Sequence, residues 1–509
     1  MGQLGPLLFS VSTLEDLLMA ITPTLRSFCL AGCVLLCLNV SSLVRAQAEE
    51  ARPNILWIIA DDLGPELGCY GYPGVKTPHL DRLAAQGCRY TLAFSTSPVC
   101  SASRTAMQTG HYQTTVGGHH HNTRIKPKLS ADTPTITHLM QQAGYFVSNG
   151  HGTAQASQRL AKSHFNFQYN ARTFFDGHDW SQRDPQQPFF ASVQIKEPHR
   201  SFVKATTSRP EAPIPPYYPD HPVTRADWDN YLASIEVLDS KVGKVLNRLD
   251  EEGLSQNTLV IFFGDHGRPH VRGKQWLYDG GLHTPLLMRW PGKIRPGTTR
   301  DGLTTLLDLM PTTLAAATLP SRNVPGHNLL DPDWNGHPQL FAARDRCGDA
   351  PDRIRSIRTK TYKYIRNFHP ERPYLQLSSY KKLSYPVETL MKVMYARGEW
   401  NSPFMAPVRP AEELYDLTTD PFEMHNLADD PQYAQRLQQF HQQLEDWIVA
   451  THDQGAVDES LTVDLPALMR EKRGWYERTM KKRGLDPDLT DEDYLKWLSQ
   501  DLGLDDQTP

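Results

Sequence analysis

Three continuous apolar runs constrain the fold most, because each of them ends in acidic, basic or histidine residues. In chain order they are Asn54–Ala60 before Asp61-Asp62, Phe189–Ile195 before Lys196-Glu197-Pro198-His199, and Thr258–Phe263 before Gly264-Asp265-His266. An apolar run of this length is typical of a strand in a parallel sheet that is covered on both faces. Polar side chains are therefore expected to meet where the buried strands end.

Segments with helical spacing of apolar residues separate these strands. They cover residues 77–86, 131–143 and 224–252. Strands that alternate with helices predict a doubly wound α/β sheet, and such sheets bind ligands outside the carboxyl ends of their strands. We therefore expect one site, built from the residues that follow the three runs.

The chain changes character after about Leu330. Short strand patterns at residues 353–358 and 362–367, and an amphipathic helix around residues 431–450, predict a smaller α+β domain. The sequence thus divides into a catalytic domain at 49–330, a smaller α+β domain at 331–455 and a charged, helical C-terminal extension at 456–509.

Composition and charge exclude several classes of function. With 509 residues, 39% hydrophobic and 22% charged, the chain is long enough for a large core and is no disordered tail. The net charge of −4 comes without a dense basic run, so no nucleic-acid partner is expected. The 20 histidines, several beside Asp, Lys or Gly, favour metal or acid–base chemistry.

The N-terminus has the pattern of an export signal in residues 1–48. Arg26 precedes an apolar run over residues 28–40, and Ala46-Gln47-Ala48 suits cleavage before Glu49. Residues 1–18 lack Lys and Arg, so we expect translation to start at Met19. The apolar run is short and interrupted, so no stable membrane span is expected, and an uncleaved anchor is the alternative. The protein is expected to be periplasmic or secreted, or in a lysosome-like compartment if eukaryotic.

A lipoprotein-like sequence, Leu30-Ala31-Gly32-Cys33, leaves lipidation at Cys33 open as an alternative to ordinary cleavage. After cleavage, four scattered cysteines remain, which is no disulfide framework for a chain of this length. They are Cys69, Cys88, Cys100 and Cys347.

The densest cluster of reactive residue types runs from Pro98 to Gly110. Cys100 precedes Arg104 by four residues on a segment that is able to form a helix. This spacing puts a reactive thiol at a helix N-terminus, with a guanidinium one turn away, and so predicts an anion trap around a nucleophile. The alternative is a cysteine that serves only as a small buried apolar residue.

This stretch resembles the signature of type I sulfatases, Cys-x-Pro/Ala-x-Arg with a Thr-Gly ending, in which the cysteine is oxidised to formylglycine. The resemblance extends over most of the mature chain, and within the family Pro198-His199-Arg200 and Pro370-Glu371-Arg372-Pro373 look most like heparan N-sulfatase (sulfamidase) and its bacterial relatives. Blocks similar to those of the family occur in the family's order at 61–62, 76–84, 86–87, 196–199, 265–267, 274, 278–281 and 285–286.

The resemblance implies both fold and function. It implies an α/β, alkaline-phosphatase-like sandwich with a large mixed, mostly parallel sheet flanked by helices, plus the smaller C-terminal α+β domain. It also implies an exported hydrolase that removes sulfate from esters or sulfamates on sulfated glycans, after a formylglycine-maturation enzyme has converted Cys100. Ala102, where Pro is commoner, fits the variant matured by radical-type enzymes.

The resemblance further implies a divalent cation, Ca²⁺ or alternatively Mg²⁺. Hard oxygen ligands suit these ions better than zinc. His266 stands where the family has its fourth protein ligand, and an outer hydrogen bond is the alternative for it. The implied ligands are Asp61, Asp62, Asp265, His266 and the formylglycine made from Cys100.

The resemblance also assigns catalytic roles. The hydrated formylglycine at position 100 would attack sulfur, and its aldehyde would later expel sulfate. Arg104 would hold the nucleophile and the sulfate, and Lys274 would hold a sulfate oxygen. His199 would donate a proton to the departing oxygen or nitrogen.

One departure concerns the family's Gly-Lys-x-His block, which is expected at Gly150. The chain there has Gly150-His151-Gly152-Thr153. Either His151 takes over the cationic role, or the base that deprotonates the hydrate comes from elsewhere, with the run His119 to His121 as the candidate.

The substrate stays open between glucosamine N-sulfate and an O-sulfated uronate or hexosamine. Two alternatives to a sulfatase also remain: an inactive glycan-binding protein of the same fold, and a phosphohydrolase of the superfamily, which would use Ser or Thr where this chain has Cys100. The residues predicted to contact a polyanionic glycan are His119, His121, Arg124, Arg200 and His270.

Overall fold

A seven-stranded sheet forms the centre of the computed structural model, which describes residues 52–152, 159–461 and 463–504. The predicted signal at 1–48 lies outside these residues. The strand order is β4-β5-β1-β6-β7-β2-β8. Thirteen strands are described: β1 Asn54–Ala60, β2 Cys88–Tyr90, β3 Ala93–Phe94, β4 Phe146–Gly150, β5 Phe189–Ile195, β6 Thr258–Gly264, β7 Leu286–Arg289, β8 Thr298–Arg300, β9 Thr304–Thr305, β10 Leu340–Arg344, β11 Ile354–Arg358, β12 Tyr362–Asn367 and β13 Glu412–Asp416.

The large sheet is mixed and mostly parallel. The central strand β1 pairs in parallel with β5 and with β6, and β4 pairs in parallel with β5. Strand β7 runs antiparallel to both β6 and β2. The three apolar runs are therefore the adjacent strands β5, β1 and β6, and their carboxyl ends lie side by side.

Helices cover both faces of this sheet, because alternate residues of β1 point to opposite sides. Leu56 and Ile58 belong to a core that includes the long helix after β5, whereas Ile55 and Trp57 pack in the core on the other face. The α-helices are α1 Pro78–Ala85, α2 Cys100–Thr109, α3 Ile136–Gln142, α4 Pro222–Glu251, α5 Asp279–Leu282, α6 Leu309–Ala316, α7 Ser379–Ser384, α8 Pro386–Ala396, α9 Ala434–Ala450, α10 Leu465–Lys482 and α11 Asp491–Asp501.

A second sheet contains β10-β11-β12-β13, all antiparallel. Helix α9 covers it, packing Phe440 and Leu444 against Ile357 and Tyr364. The predicted α+β character of this region is therefore confirmed, whereas the boundaries at 330 and 455 stay predictions. Helices α10 and α11 lie in the predicted C-terminal extension. Among the described residues no helix is both long and apolar enough to span a bilayer.

The predicted helix over residues 131–143 is shorter in the structure. Helix α3 begins at Ile136, because the Thr135 hydroxyl accepts a hydrogen bond from the His138 N–H and caps the helix there. Pro134 precedes that cap and disfavours helical geometry in the residue before it.

Candidate active site at the carboxyl ends of the strands

Two carboxylates follow the central strand directly. The Asp61 N–H donates to the Ile195 carbonyl at 3.2 Å, and the Asp62 N–H donates to Asp265 Oδ1 at 3.0 Å. The backbone of Asp62 has φ 66°, in the left-handed region that a non-glycine residue rarely adopts. Such strain is typical of functional sites, where the surrounding contacts hold it in place.

Cys100 is the first residue of α2 and is only 2% exposed. The positive end of the helix dipole is therefore at the thiol. The ligand atoms of Asp62, Cys100 and His266 lie within 4.8 Å of one another, and so do those of Asp61, Cys100 and Asp265. The thiol thus stands between the polar residues that follow β1 and those that follow β6.

Arg104 lies one turn after Cys100 and is fixed by three side chains. Its Nε is 2.8 Å from Asp265 Oδ2, and its Nη1 donates to Gln194 Oε1 at 2.6 Å. Its Nη2 lies 3.8 Å from Asp61 Oδ1. The guanidinium therefore joins the ends of β1, β5 and β6.

Three groups that can carry positive charge converge on Asp62. Lys274 Nζ donates to both carboxylate oxygens at 2.8 Å. His266 Nε2 lies 2.9 Å from Oδ1, and His199 Nε2 lies 3.8 Å from Oδ2. Burial alone would raise the pKa of Asp62, but Lys274 and the two histidines hold that pKa well below its usual range.

Lys162 and His164 belong to this site, although sequence reasoning missed both. Lys162 Nζ is 2.5 Å from Asp61 Oδ2. Burial would raise the pKa of the Cys100 thiol, yet the charges of Lys162 and Lys274, together with interactions with His121 and His164, lower it well below its usual value. A sequence signal existed, because Lys162-Ser163-His164 keeps the Lys-x-His spacing that was sought at Gly150.

The acidic residues fit a hard divalent cation. Asp61 Oδ1 is buried and makes no hydrogen bond to any described residue, and the buried His266 Nε2 faces Asp62 Oδ1 at 2.9 Å. Burial, and after it the charge of Asp265, raise the pKa of Asp61 to about 6. A cation with oxygen ligands would relieve this repulsion between carboxylates. We call the following set the nucleophile site: Asp61, Asp62, Cys100, Arg104, Lys162, Asp265, His266 and Lys274.

Comparison with known proteins decides the family. The family model described as Sulfatase matches residues 53–319, which include every member of the nucleophile site. The chain belongs to the sulfatase family. An ulvan-active sulfatase of Formosa agariphila is 31% identical over 470 residues, covering 80% of this chain and 77% of that protein. The fold is alkaline-phosphatase-like, and the protein is a sulfatase-type hydrolase.

Two further proteins are similar over most of their length. The human N-sulphoglucosamine sulphohydrolase is 27% identical, covering 83% of this chain and 96% of the human protein. A protein solved with its substrate D-glucosamine-2-N,6-O-disulfate superimposes with a TM-score of 0.59 and 18% identity, covering 80% of this sulfatase and all of that chain. This structural likeness supports the shared fold.

The side chains of His119, His120 and His121 have different neighbours. His121 interacts with the Cys100 thiol, as the predicted substrate or base role requires. The ring of His119 lies 4.3 Å from that of His120, and burial and Arg355 lower the pKa of His119 to about 4. His120 Nδ1 lies 3.6 Å from a Glu459 oxygen.

Arg200 and His270, both predicted to bind the substrate, are packed among protein groups. Arg200 is buried and makes two hydrogen bonds to Asp227, at 2.8 and 2.6 Å, and one to the Ser384 carbonyl at 2.7 Å. His270 is 2% exposed and packs between the rings of Trp228 and Tyr231. Contact of either side chain with a substrate stays a prediction.

His151 and Arg124 lie on the surface. The ring of His151 is exposed, and its Nδ1 lies 3.4 Å from the Gln194 carbonyl. Arg124 pairs with Glu471 of α10. The cation beside Cys100 and Asp61 is therefore Lys162, where the sequence had suggested His151.

Tyr380 of α7 reaches the same site from the region of the second sheet. The Lys274 Nζ lies 5.5 Å from the centre of its ring, and the His199 ring lies 6.3 Å away. Its hydroxyl is buried without a hydrogen-bond partner in the described part of the chain. No sequence motif marked this residue.

Proposed function

We propose that this sulfatase is exported and removes sulfate from sulfated saccharides, using formylglycine at position 100 and a bound Ca²⁺ or Mg²⁺. The observation that carries the proposal is the convergence of Asp61, Asp62, Asp265 and His266 on the Cys100 thiol. The names of the relatives support the substrate class, since one is an ulvan-active sulfatase and another an N-sulphoglucosamine sulphohydrolase.

Asp61, Asp62, Asp265 and His266 would hold the cation. Formylglycine would supply a hydrated aldehyde as nucleophile. The cation would supply positive charge next to this nucleophile and next to a sulfate oxygen of the substrate. Buried carboxylate oxygens of the three aspartates and the His266 imidazole nitrogen already lie around residue 100, which is the support for this assignment. The orientation of α2 also supports the assignment. Residue 100 is at the N-terminus of this helix, where the helix dipole favours negative charge.

Three cations surround the position that the sulfuryl group would take. Arg104, Lys162 and Lys274 are each held by a carboxylate of the site, at 2.8, 2.5 and 2.8 Å. Preorganised charges of this kind stabilise the negative charge that grows on sulfate oxygens during transfer. They need little rearrangement in the transition state, because protein contacts fix them beforehand.

Two positions in the site suit proton transfer. His199 is half-buried beside Asp62 and Tyr380 and would donate a proton to the departing oxygen or nitrogen. His121 and His164 interact with residue 100 and would accept the proton of the nucleophile. The base that sequence reasoning left open is thus assigned to this pair.

The test is mass spectrometry of the peptide that contains residue 100, combined with desulfation of a panel that includes glucosamine N-sulfate and ulvan oligosaccharides. We expect a peptide lighter than the cysteine form, sulfate release by the wild type and none by Cys100→Ala. Cys88→Ala is the matched control, since Cys88 is also buried but lies in β2. Sulfate release by protein with unmodified cysteine would contradict the proposal.

Export needs its own measurement. N-terminal sequencing of protein secreted by the producing cell is expected to begin at Glu49. A mature chain that begins at a lipid-modified Cys33 would show the alternative, and an intact N-terminus at Met1 would refute export by this signal.

A further inference from the structure

A cavity of about 420 Å³ lies beside the nucleophile site and has no role in the function proposed above. We propose that this cavity binds a second anionic group of the saccharide, a carboxylate or a further sulfate on a sugar next to the one that loses sulfate. The inference rests on the proposed function. The residues of the cavity that matter are His120, Arg346, Arg353, Phe368, His369 and Arg372.

The loop at 119–121 connects this cavity to the nucleophile. His120 lines the cavity, and the next residue, His121, interacts with the Cys100 thiol. Adjacent Cα atoms are 3.8 Å apart, so the two side chains bring the cavity and the thiol to within on the order of 10 Å. A neighbouring sugar residue can span this distance.

Three of the four acids that line the cavity pair with arginines, Asp345 among them, and the fourth, Asp458, is exposed to water. Arg346 binds Glu459 through two hydrogen bonds, at 2.6 and 2.8 Å. Asp352 pairs with both Arg344 and Arg409. Because arginines already bind these acids, the acids do not compete with a ligand for Arg353 and Arg372.

Arg353 is the cation that lacks such a partner. In the described ranges its Nε is buried without a hydrogen bond, and Asp453 and Asp345 act on its guanidinium through their charge alone. The guanidinium carbon lies 3.9 Å from the centre of the Phe368 ring. Burial, and after it the charge of Arg355, lower the pKa of Arg353. An anion in the cavity would compensate both effects, because it would pair with the guanidinium.

Arg372 and His369 add positive charge on the same side. Arg372 Nη1 donates to the Pro351 carbonyl at 2.7 Å. Both residues approach Glu371, but that carboxylate is 65% exposed and is screened by water. A carboxylate or sulfate bound at Arg353 would therefore meet a second arginine in the cavity.

The experiment measures binding by calorimetry to Cys100→Ala protein, which cannot turn over its ligand. The probes are a heparin-derived tetrasaccharide, an ulvan-derived tetrasaccharide and inorganic sulfate. Adding Arg353→Gln is expected to weaken binding of the better tetrasaccharide at least tenfold and to change the Kd for inorganic sulfate less than twofold. Unchanged tetrasaccharide binding, or an equal loss for inorganic sulfate, would overturn the proposal.

Arg366→Gln is the matched control. Its guanidinium also lies over the Phe368 ring, at 4.6 Å, but Arg366 does not line the cavity. It is expected to leave tetrasaccharide binding unchanged, and a tenfold loss here would overturn the assignment to Arg353. Should Arg353→Gln fail to fold, Arg372→Gln takes its place, with an expected loss of at least threefold.

The two proposals fail in different ways. If neither tetrasaccharide binds the Cys100→Ala protein, the saccharide substrate class is wrong, and the cavity assignment falls with it. If a tetrasaccharide binds and all arginine variants of the cavity bind it equally well, only the cavity assignment is wrong.

Discussion

Two regions of this sulfatase bury many charges, and they differ in how completely those charges are paired. In the nucleophile site, three carboxylates crowd together beside Cys100, and the cations that bind them leave the pKa of Asp61 raised. The second region, which we call the arginine cluster, pairs opposite charges: Arg355 makes hydrogen bonds to Asp453 at 2.5 and 2.8 Å and to Asp345 at 3.1 Å. The arginine cluster comprises Arg344, Arg355, Arg409, Asp345, Asp352 and Asp453.

The difference shows that buried charge by itself does not mark an active site. Each acid of the arginine cluster meets at least one guanidinium, so the cluster is neutral in sum and joins β10, β11 and the segment after α9. In the nucleophile site, Asp61 keeps an unpartnered oxygen and a raised pKa. Carboxylates that crowd together can gain from a further cation, whereas acids that each bind a guanidinium do not need one.

The largest expected effect separates the two regions directly. Asp62→Ala is expected to lower the rate of sulfate release by about 10³ or more and to abolish cation binding, because a hard cation loses a ligand. Activity assays and elemental analysis of bound calcium check this. Chelation should have the same effect on the wild type, and Ca²⁺ or Mg²⁺ should restore activity better than Zn²⁺. Full activity with no bound metal would contradict the assignment.

A substitution in the arginine cluster is expected to change the stability of the protein. Arg355→Met should lower the free energy of unfolding by about 3–5 kcal/mol, because Asp453 and Asp345 are left buried without their partner. Urea unfolding followed by circular dichroism measures the loss. Lys360→Met, which removes an exposed ion pair with Asp301, serves as the control with little expected change. The comparison breaks if the folded Arg355→Met protein also loses its activity.

Within the nucleophile site, Lys162 and His151 can be compared as the two candidate cations. Lys162→Ala should lower kcat/KM by about 10², the cost of removing one preorganised charge from a transferring group. His151→Ala should stay within twofold of the wild type, because its ring is exposed and lies beside the Gln194 carbonyl. Steady-state kinetics of both variants decide the matter, and the reverse ranking would restore the role first considered for His151.

The smallest effect tests a buried cation outside both regions. Burial lowers the pKa of Lys381 in α7 to about 8, from 10.5 in the unfolded chain. The folded state binds this proton less tightly than the unfolded chain does. The protonated Lys381 therefore lowers the free energy of unfolding by its full amount below pH 8, and this loss disappears as the pH rises from 8 to 10.5. Lys381→Met should raise the free energy of unfolding by about 1–2 kcal/mol at pH 7. Urea titrations should show this gain shrinking toward pH 10.5; a gain that is independent of pH would refute the charge explanation.

Sequence patterns predicted the sheet well, because buried strands are uninterrupted apolar runs. Strands β1 and β5 begin and end at the predicted residues. The spacing from Cys100 to Arg104 likewise predicted a helix that starts at the thiol, and α2 does so. These features are local, so neighbouring residues contain the information that specifies them.

Other parts of the site depend on partners that are distant in the chain. Arg200 follows His199 and looked accessible, but Asp227 and the Ser384 carbonyl occupy its guanidinium. Tyr380 comes to Lys274 only through the packing of α7. The Lys-x-His spacing of Lys162 and His164 is visible in the sequence. It lies twelve residues after Gly150, however, whereas the Gly-Lys-x-His block has its lysine directly after the glycine.

Because Tyr380 comes late in the chain, it is synthesised long after the Cys100 that it helps to enclose. At roughly 5–20 residues per second, the ribosome delivers α7 on the order of tens of seconds after Cys100. Throughout that interval the thiol, which is 2% exposed in the folded protein, lacks part of the structure that later encloses it. Any enzyme that has to reach this sulfur can do so on the growing chain, and every residue added afterwards shortens the opportunity.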